Sequence, residues 1–498
     1  MRLPGSCACT AALALALLGA PLALLLNKSS PAPAARAEKA QTGERQAQMT
    51  DPLKRGARVV VFLAGNAYDA RAGTVVGFKS KRVIVALDRL PPETKRRRRS
   101  LPERYLRRLS VRPTGNPAAA PALSAWRTVS SPAELQKAVG EAPRNANIEL
   151  RGGSYPALTL DQTRTTWVTI RPAVGEQVTL ADLDFGPRAA YIRVEGVTID
   201  SQVLITAEGA GHIQLVGSRA QGVRAEWGSH DLLIEGNLIE RSDSGVELIS
   251  TNCSVHNAPE SCSGDRTLAP VERVTIRNNR IVAPLENGIT VANFRAVLIE
   301  GNEITGLSEN GQHSDALQSL WGGDGLVFRR NYVHDMEGNQ GFFIKDGRVS
   351  NVTVDNNLIV RTRPRVGYNF AGSPLSFYDT VPDPAQPYFT GYGIVLSRNT
   401  IWDNAHFLVI SGPDNRKISI RNNVTEAIAI EGIGKDALRA NGIDQGYNIV
   451  RDAISWGRAG PHDTGQAPRF RDAAKNDYRI TTTQRDQLKF RAGVSWLP

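Results

Sequence analysis

The sequence predicts an all-β protein: a parallel β-helix solenoid over residues 125–498, preceded by a small β-barrel over residues 54–113. Two observations predict the solenoid. A short alternating motif ending in Asn recurs along the second half of the chain, and its spacing falls mostly in the twenties. The chain also holds 45 glycines in 498 residues, as many tight turns require. A third observation sets the barrel apart. Residues 54–112 carry 17 Lys and Arg against four Asp and Glu, a charge of +13, whereas the whole chain is +11 and the remainder therefore about −2. At 498 residues one ordinary compact core is excluded, but a solenoid extends a single core by stacking.

Residues 1–37 read as a targeting segment. Arg2 supplies a positive start, Thr10 to Leu26 is apolar apart from Thr10, Gly19 and Pro21, and Ala35-Arg36-Ala37 is a candidate cleavage site. A signal peptide, or an uncleaved membrane anchor, follows from this pattern, so a secreted or periplasmic location is expected. Residues 38–53 lack apolar periodicity and read as a flexible tether. Of the four cysteines, Cys7 and Cys9 fall in the targeting segment. Cys253 and Cys262 sit in a Ser/Asn/Pro-rich stretch, where an oxidising compartment would join them as a disulfide, with two free thiols as the alternative.

Within 54–113, Arg58 to Leu63, Gly73 to Phe78 and Arg82 to Leu87 are β-branched runs broken by turn signals. The segments Ala57-Arg-Val-Val-Val, Ala72-Gly-Thr-Val-Val-Gly and Arg82-Val-Ile-Val-Ala-Leu-Asp resemble SH3-like barrels. The run Lys95 to Arg99 reads as a solvated loop, or as a contact for an anionic glycan or envelope surface. A nucleic-acid partner is not expected of an exported protein. Residues 114–124 read as a linker.

The solenoid opens on a helix. Ser131 is the N-cap, Pro132 sits at the first helical position and Glu134 completes a capping box, while Leu135, Ala138 and Val139 form the apolar stripe. A strand at Ile148 to Leu150 and the turn Arg151-Gly-Gly-Ser-Tyr155 follow. Then come the repeats, of which Val274-Thr-Ile-Arg-Asn-Asn279, Val297-Leu-Ile-Glu-Gly-Asn302 and Val352-Thr-Val-Asp-Asn-Asn357 are typical. The Asn positions are 237, 279, 302, 331, 357, 399 and 423, so the spacings are 42, 23, 29, 26, 42 and 24. Each 42 is either one repeat with an insertion or two short coils. Alternation turns Val and Ile inward and Thr, Arg or Glu outward. The recurring Asn belongs at one turn of every coil, where its amide bonds the neighbours above and below.

The capped helix, the Arg-Gly-Gly-Ser-Tyr turn and the Asn repeats resemble the pectate-lyase-like superfamily of right-handed parallel β-helices. The ending Ala467-Pro-Arg-Phe-Arg-Asp472 with Asp477-Tyr-Arg-Ile480 is similar to the closing segment of many of its members. The resemblance spans roughly residues 125–490. It implies the fold, but the superfamily includes lyases, epimerases, hydrolases, esterases and non-catalytic tailspikes.

Candidate chemistry comes from aligning the strands before each Asn motif. Ser244-Gly-Val-Glu-Leu, Asn287-Gly-Ile-Thr-Val, Asp315-Ala-Leu-Gln-Ser and Gln340-Gly-Phe-Phe-Ile then stack, giving an outward column of Glu247, Thr290, Gln318 and Phe343. The richest cluster is Gln312-His-Ser-Asp-Ala-Leu-Gln-Ser-Leu-Trp321, followed by Asp324 and, one coil on, Lys345-Asp346. On a uronan, β-elimination or C5-epimerisation removes a proton beside a carboxylate. That needs the carboxylate neutralised and a base at hand. Lys345 or His313 is the candidate base, and Asp315 orients the histidine or, with Asp346, holds a metal such as Ca²⁺. Gln318, Trp321, Arg329, Arg330 and Glu247 are candidate substrate contacts, with Trp321 offering a flat face to a sugar ring and the arginines a fork for a carboxylate. His313 and Asp315 followed by Lys345 resemble loosely the sites of alginate epimerases and lyases, although the Asp-Pro-His-Asp signature of the former is lacking. The expected function is thus action on an acidic polysaccharide by a lyase or uronan epimerase, with a monomer expected. A non-catalytic glycan-binding or envelope β-helix is the first alternative. A glycoside hydrolase using Asp315, Asp324 and Asp346 is the second.

Overall fold

The computed structural model describes residues 58–61, 72–79, 82–87, 98–102, 106–108 and 126–496, the last span without 143–145, 207, 241, 251–267, 307–314, 338–339, 345–347, 364–374, 378–389, 404–407, 412–414, 432–439, 452–459 and 461. The chain divides into two compact units, Met1–Ala120 and Pro121–Pro498. The targeting segment, the tether and most of the linker lie outside the described residues.

In the first unit, strands β1 (Arg58–Val61), β2 (Ala72–Lys79), β3 (Arg82–Leu87), β4 (Arg98–Pro102) and β5 (Leu106–Arg108) form an antiparallel sheet in the order β4-β3-β2-β1-β5. The end of the basic run is therefore a strand rather than a loop, since Arg98 and Arg99 pair with Ala86 and Val85. Backbone pairing at a sheet edge does not require apolar side chains, and edges rich in Lys and Arg resist pairing with other chains.

The second unit opens on strand Trp126–Val129 and helix α1 (Pro132–Glu141). Ser131 Oγ accepts from the Glu134 N–H at 3.3 Å, and Glu134 Oε2 accepts from the Ser130 N–H at 2.7 Å, one residue earlier than a standard capping box. Leu135, Ala138 and Val139 are buried and close the start of the core.

From Ala146 on, the chain winds as a parallel β-helix with three rows of strands. The first row includes Gln202–Ile205, Gly222–Glu226 and Val246–Ile249, and the second includes Gly211–Val216, His230–Glu235 and Val271–Arg277. These rows merge where Ile289–Glu300 and Asp315–Arg329 run through both, bending at Asn293 and Trp321. The third row is a 12-stranded sheet of short segments running from Gly153–Tyr155 to Ile449–Val450. Pairing along each row is parallel and in register, so inward Val, Ile, Leu and Phe stack coil upon coil into one continuous core.

Between the second and third rows runs a chain of buried side-chain amides. Asn237 donates to Asn279, Asn279 to Asn302, Asn302 to Asn331, Asn331 to Asn357, Asn357 to Asn399, Asn399 to Asn423 and Asn423 to Asn448, each at 2.9–3.1 Å. Each amide also donates to a carbonyl of the strand before it, as Asn302 does to Ile276 at 3.0 Å. Each carbonyl oxygen accepts in addition a backbone N–H of the preceding coil. The run starts at Ser218, whose N–H donates to Asn237, and ends at Asp463, which accepts from Asn448. Both 42-residue spacings prove to be single coils with insertions, because Leu232 pairs directly with Val274 and Thr353 with Val395.

The C-terminal segment folds back over the third row. Strand Phe470–Asp472 pairs antiparallel with Asp477–Ile480, and helix α2 (Thr482–Leu488) follows. Val494 N–H then donates to Thr400 Oγ1, Ser495 N–H to Asn356 Oδ1, and Trp496 Nε1 to Asn356 O.

Candidate functional site

The first row carries an outward column whose members differ from coil to coil. Register pairs Thr159 with Asp184, Asp184 with Leu204, Leu204 with Arg224, Arg224 with Glu247, Glu247 with Thr290, Thr290 with Gln318, and Gln318 with Phe343. The register of Glu247, Thr290, Gln318 and Phe343 is the one the aligned motifs predict. Small residues make the close stacking feasible: a Cβ on Gly245 would come 2.4 Å from Gly288 O, and one on Gly288 2.7 Å from Ala316 O.

The centre of the column is buried although it points away from the core. Glu247 is 7% exposed, Thr290 1%, Gln318 6% and Phe343 0%. At one end Gln318 is clamped: its Oε1 accepts from Asn287 Nδ2 at 3.1 Å and its Nε2 donates to Asp315 Oδ2 at 3.0 Å. The Asp315 N–H in turn donates to Asn287 Oδ1 at 2.9 Å. At the other end Glu247 Oε2 accepts from Arg224 at 3.4 Å and Gln202 at 3.5 Å, and Arg224 reaches Glu226 at 3.4 Å. The Thr290 hydroxyl between the two ends has no hydrogen-bond partner among the described residues. Further back, burial and the neighbouring Asp182 raise the carboxyl of Asp184 above its ordinary range.

Beside the polar column lies an apolar one, Ile249, Ala292 and Leu320, against which Trp321 packs. Trp321 stands at the bend with φ 59° and is half-buried, and its Nε1 lacks a partner among the described residues. A polar strip next to an apolar strip is what a sugar polymer presents to a protein: hydroxyls at the edges and C–H surfaces on the ring faces.

The structure brings some of the expected residues together and separates others. Glu247 and Gln318 share the column, and Asp315 adjoins it. Asp315 is completely buried, and its Oδ2 accepts from Gln318 Nε2. Arg329 ends the strand on the second row and Arg330 stands just after it with φ 54°, both facing Glu300 at 3.0 and 3.6 Å, because the bend at Trp321 turns the strand onto another face. Asp324 is beyond the same bend and accepts from Ser350 and Asn351 at 2.5 and 2.7 Å. His313, Lys345, Asp346, Cys253 and Cys262 lie outside the described residues.

Sequence reading missed Arg224, Gln202, Asn287 and Asp184. The coil bearing Gln202 ends on Ser218 rather than Asn, whereas Arg224 lies in the coil that ends on Asn237 and would have been reached by counting register one coil back from Glu247.

Residues 226–380 match the family described as "Right handed beta helix region". No curated protein sequence matches the chain. Among solved structures, a PL6 family alginate lyase, AlyGC, is similar at 14% identity and TM-score 0.44, over 75% of this chain and 57% of that one. The pectate lyase Pel9A follows at 12% and 0.33, over 70% and 83%, and the periplasmic alginate epimerase AlgG at 14% and 0.26, over 66% and 73%. The chain thus spans little more than half the length of the first of these proteins, and the activities are those proteins' own. The body of this chain is a right-handed parallel β-helix.

Proposed function

We propose that the chain is an exported enzyme acting on an acidic polysaccharide, as a lyase or C5-epimerase, on the outward face of the first row. The observation that carries this reading is the in-register column from Arg224 to Gln318. It places a cation, a carboxylate, a hydroxyl and an amide on successive coils at the roughly 4.8 Å repeat of stacked strands. A polymer laid across the coils meets a different group on each one. The adjoining apolar strip with Trp321 supplies stacking for a sugar ring.

In this reading Gln318, fixed from both sides by Asn287 and Asp315, bonds the sugar and holds its register, while Asp315 is a positioning residue. The base that removes the proton beside the uronate carboxylate is Lys345 or His313. In the lyase branch the C5–H electrons form a C4=C5 double bond as the C4–O bond breaks, and the leaving oxygen takes a proton. In the epimerase branch a proton returns to C5 from the opposite face. Arg224 is held between Glu247 and Glu226, so neutralising the substrate carboxylate falls to the base region or to Ca²⁺.

The test is a screen of the full chain against alginate, polygalacturonate, hyaluronan and chondroitin, with and without Ca²⁺. Absorbance of unsaturated uronates reports elimination and NMR of C5 reports inversion. A signal lost in Lys345→Ala or His313→Ala supports the reading. Silence on every polymer together with tight binding to one overturns catalysis in favour of a glycan-binding β-helix.

A further inference from the structure

Away from the first row, at the start of the second, the geometry points to a binding site for a zinc-class transition-metal ion formed by His212, His230 and Asp231. His212 sits on strand Gly211–Val216, and the other two sit on the next coil, strand His230–Glu235. His230 Nδ1 lies 3.0 Å and His212 Nε2 3.8 Å from Asp231 Oδ2, and one ligand atom from each residue lies within 4.8 Å of the others. Ligands about 2.1 Å from a tetrahedral ion are about 3.4 Å from one another, so these separations bracket the required value. Two imidazoles with one carboxylate suit zinc, nickel or copper, whereas calcium and magnesium take oxygen ligands.

Three features prepare the site. The His212 ring is held by stacking on Tyr191, centroids 4.2 Å apart and planes 18° apart, and Tyr191 meets Trp167 edge-on at 5.7 Å. Asp231 is oriented by Arg273, whose Nε and Nη2 donate to its two oxygens at 3.0 Å each, the outer-shell support that metal-binding carboxylates commonly have. Finally, the His230 ring occupies space that only glycine at 211 leaves open, since a Cβ there would come 2.3 Å from its Cε1. The three side chains are half-buried, which leaves a face open for solvent to complete the coordination. Bound there, the ion takes the place of the proton shared by His230 Nδ1 and Asp231 Oδ2 and ties two successive coils together.

The experiment titrates tag-free full-length protein with Co²⁺ and Zn²⁺, reading the visible d–d band of bound Co²⁺ and the melting temperature. One equivalent of Co²⁺ is expected to give a band that Zn²⁺ abolishes, and Zn²⁺ is expected to raise the melting temperature. His230→Ala should weaken binding at least about tenfold. His212→Phe keeps the stack on Tyr191 while removing the ligand nitrogen, so it should fold and also weaken binding. Gly211→Ala should do the same with all three ligands retained, by displacing the His230 ring. No d–d band, or a band that survives in both His212→Phe and His230→Ala, overturns the site.

Discussion

Two columns of buried polar side chains run along the same β-helix, and they differ in a way that separates architecture from chemistry. The amide column from Asn237 to Asn448 uses one residue type, and each amide bonds the next coil and the strand before it. The first-row column from Arg224 to Gln318 changes residue type at every coil. Repetition of one side chain satisfies a need that every coil shares, because each turn strands backbone groups that must find partners. Variation at equivalent positions answers no such need. Where it is also buried, it costs stability unless something offsets it, and a bound ligand is the natural offset. The Thr290 hydroxyl, without a partner among the described residues, marks where the second column departs from the logic of the first.

The largest effect is expected in the amide column. Asn302 makes four hydrogen bonds at 3.0 Å, and Asn302→Leu would strand the Asn279 amide, the Asn279 N–H and the Ile276 carbonyl. A loss of about 3–5 kcal/mol is expected, read as a lower thermal midpoint, while turnover per folded molecule stays near wild type. In the first-row column the balance reverses. Gln318→Ala should lower turnover by roughly 100-fold through lost positioning while costing no more than about 2 kcal/mol of stability. Glu247→Gln keeps an acceptor for Arg224 and removes one charge, so a rate loss of about tenfold with an unchanged midpoint is expected.

The smallest effect lies outside both columns, at Asp335. The Arg361 guanidinium, donating to it at 2.5 and 2.9 Å, together with His334, holds its carboxyl well below the ordinary range. A depressed folded value means its contribution is complete above the unfolded carboxylate value of about 3.9 and disappears as pH falls through the folded value. Asp335 is largely exposed, so Asp335→Asn should cost only about 0.5–1 kcal/mol at neutral pH. The difference from wild type should shrink in denaturation curves taken progressively below about pH 4.

Much of this fold is legible in the sequence because a solenoid repeats its constraints. Val274-Thr-Ile-Arg-Asn-Asn279 and its relatives show strand, inward face and turn at once, and aligning them gives the register of Glu247, Thr290 and Gln318. Insertions obscure the rest. Nothing in a 42-residue spacing distinguishes one long coil from two short ones; backbone pairing decides it. Ser218 escapes notice because it holds a ladder position without being Asn, and Arg98–Pro102 because its charge reads as a solvated loop. His212 and Asp231 stand six residues before Ser218 and Asn237 respectively, in a column of left-handed backbone that also holds Tyr191 and Arg273. Their kinship appears only once Ser218 is recognised as a ladder position. The bend at Trp321 is also invisible in one dimension, which is why Arg329, Arg330 and Asp324 look like neighbours of Asp315 in sequence and are not neighbours in space.

The most direct test sets Gln318→Ala beside Asn302→Leu on the acidic polymer proposed as substrate, measuring turnover per folded molecule and thermal midpoint for both. Gln318→Ala is expected to lose turnover and keep most of its stability, while Asn302→Leu is expected to lose stability and keep its turnover. Full activity in Gln318→Ala, with substrate still bound at wild-type strength, would contradict the assignment of the first-row column as the working face.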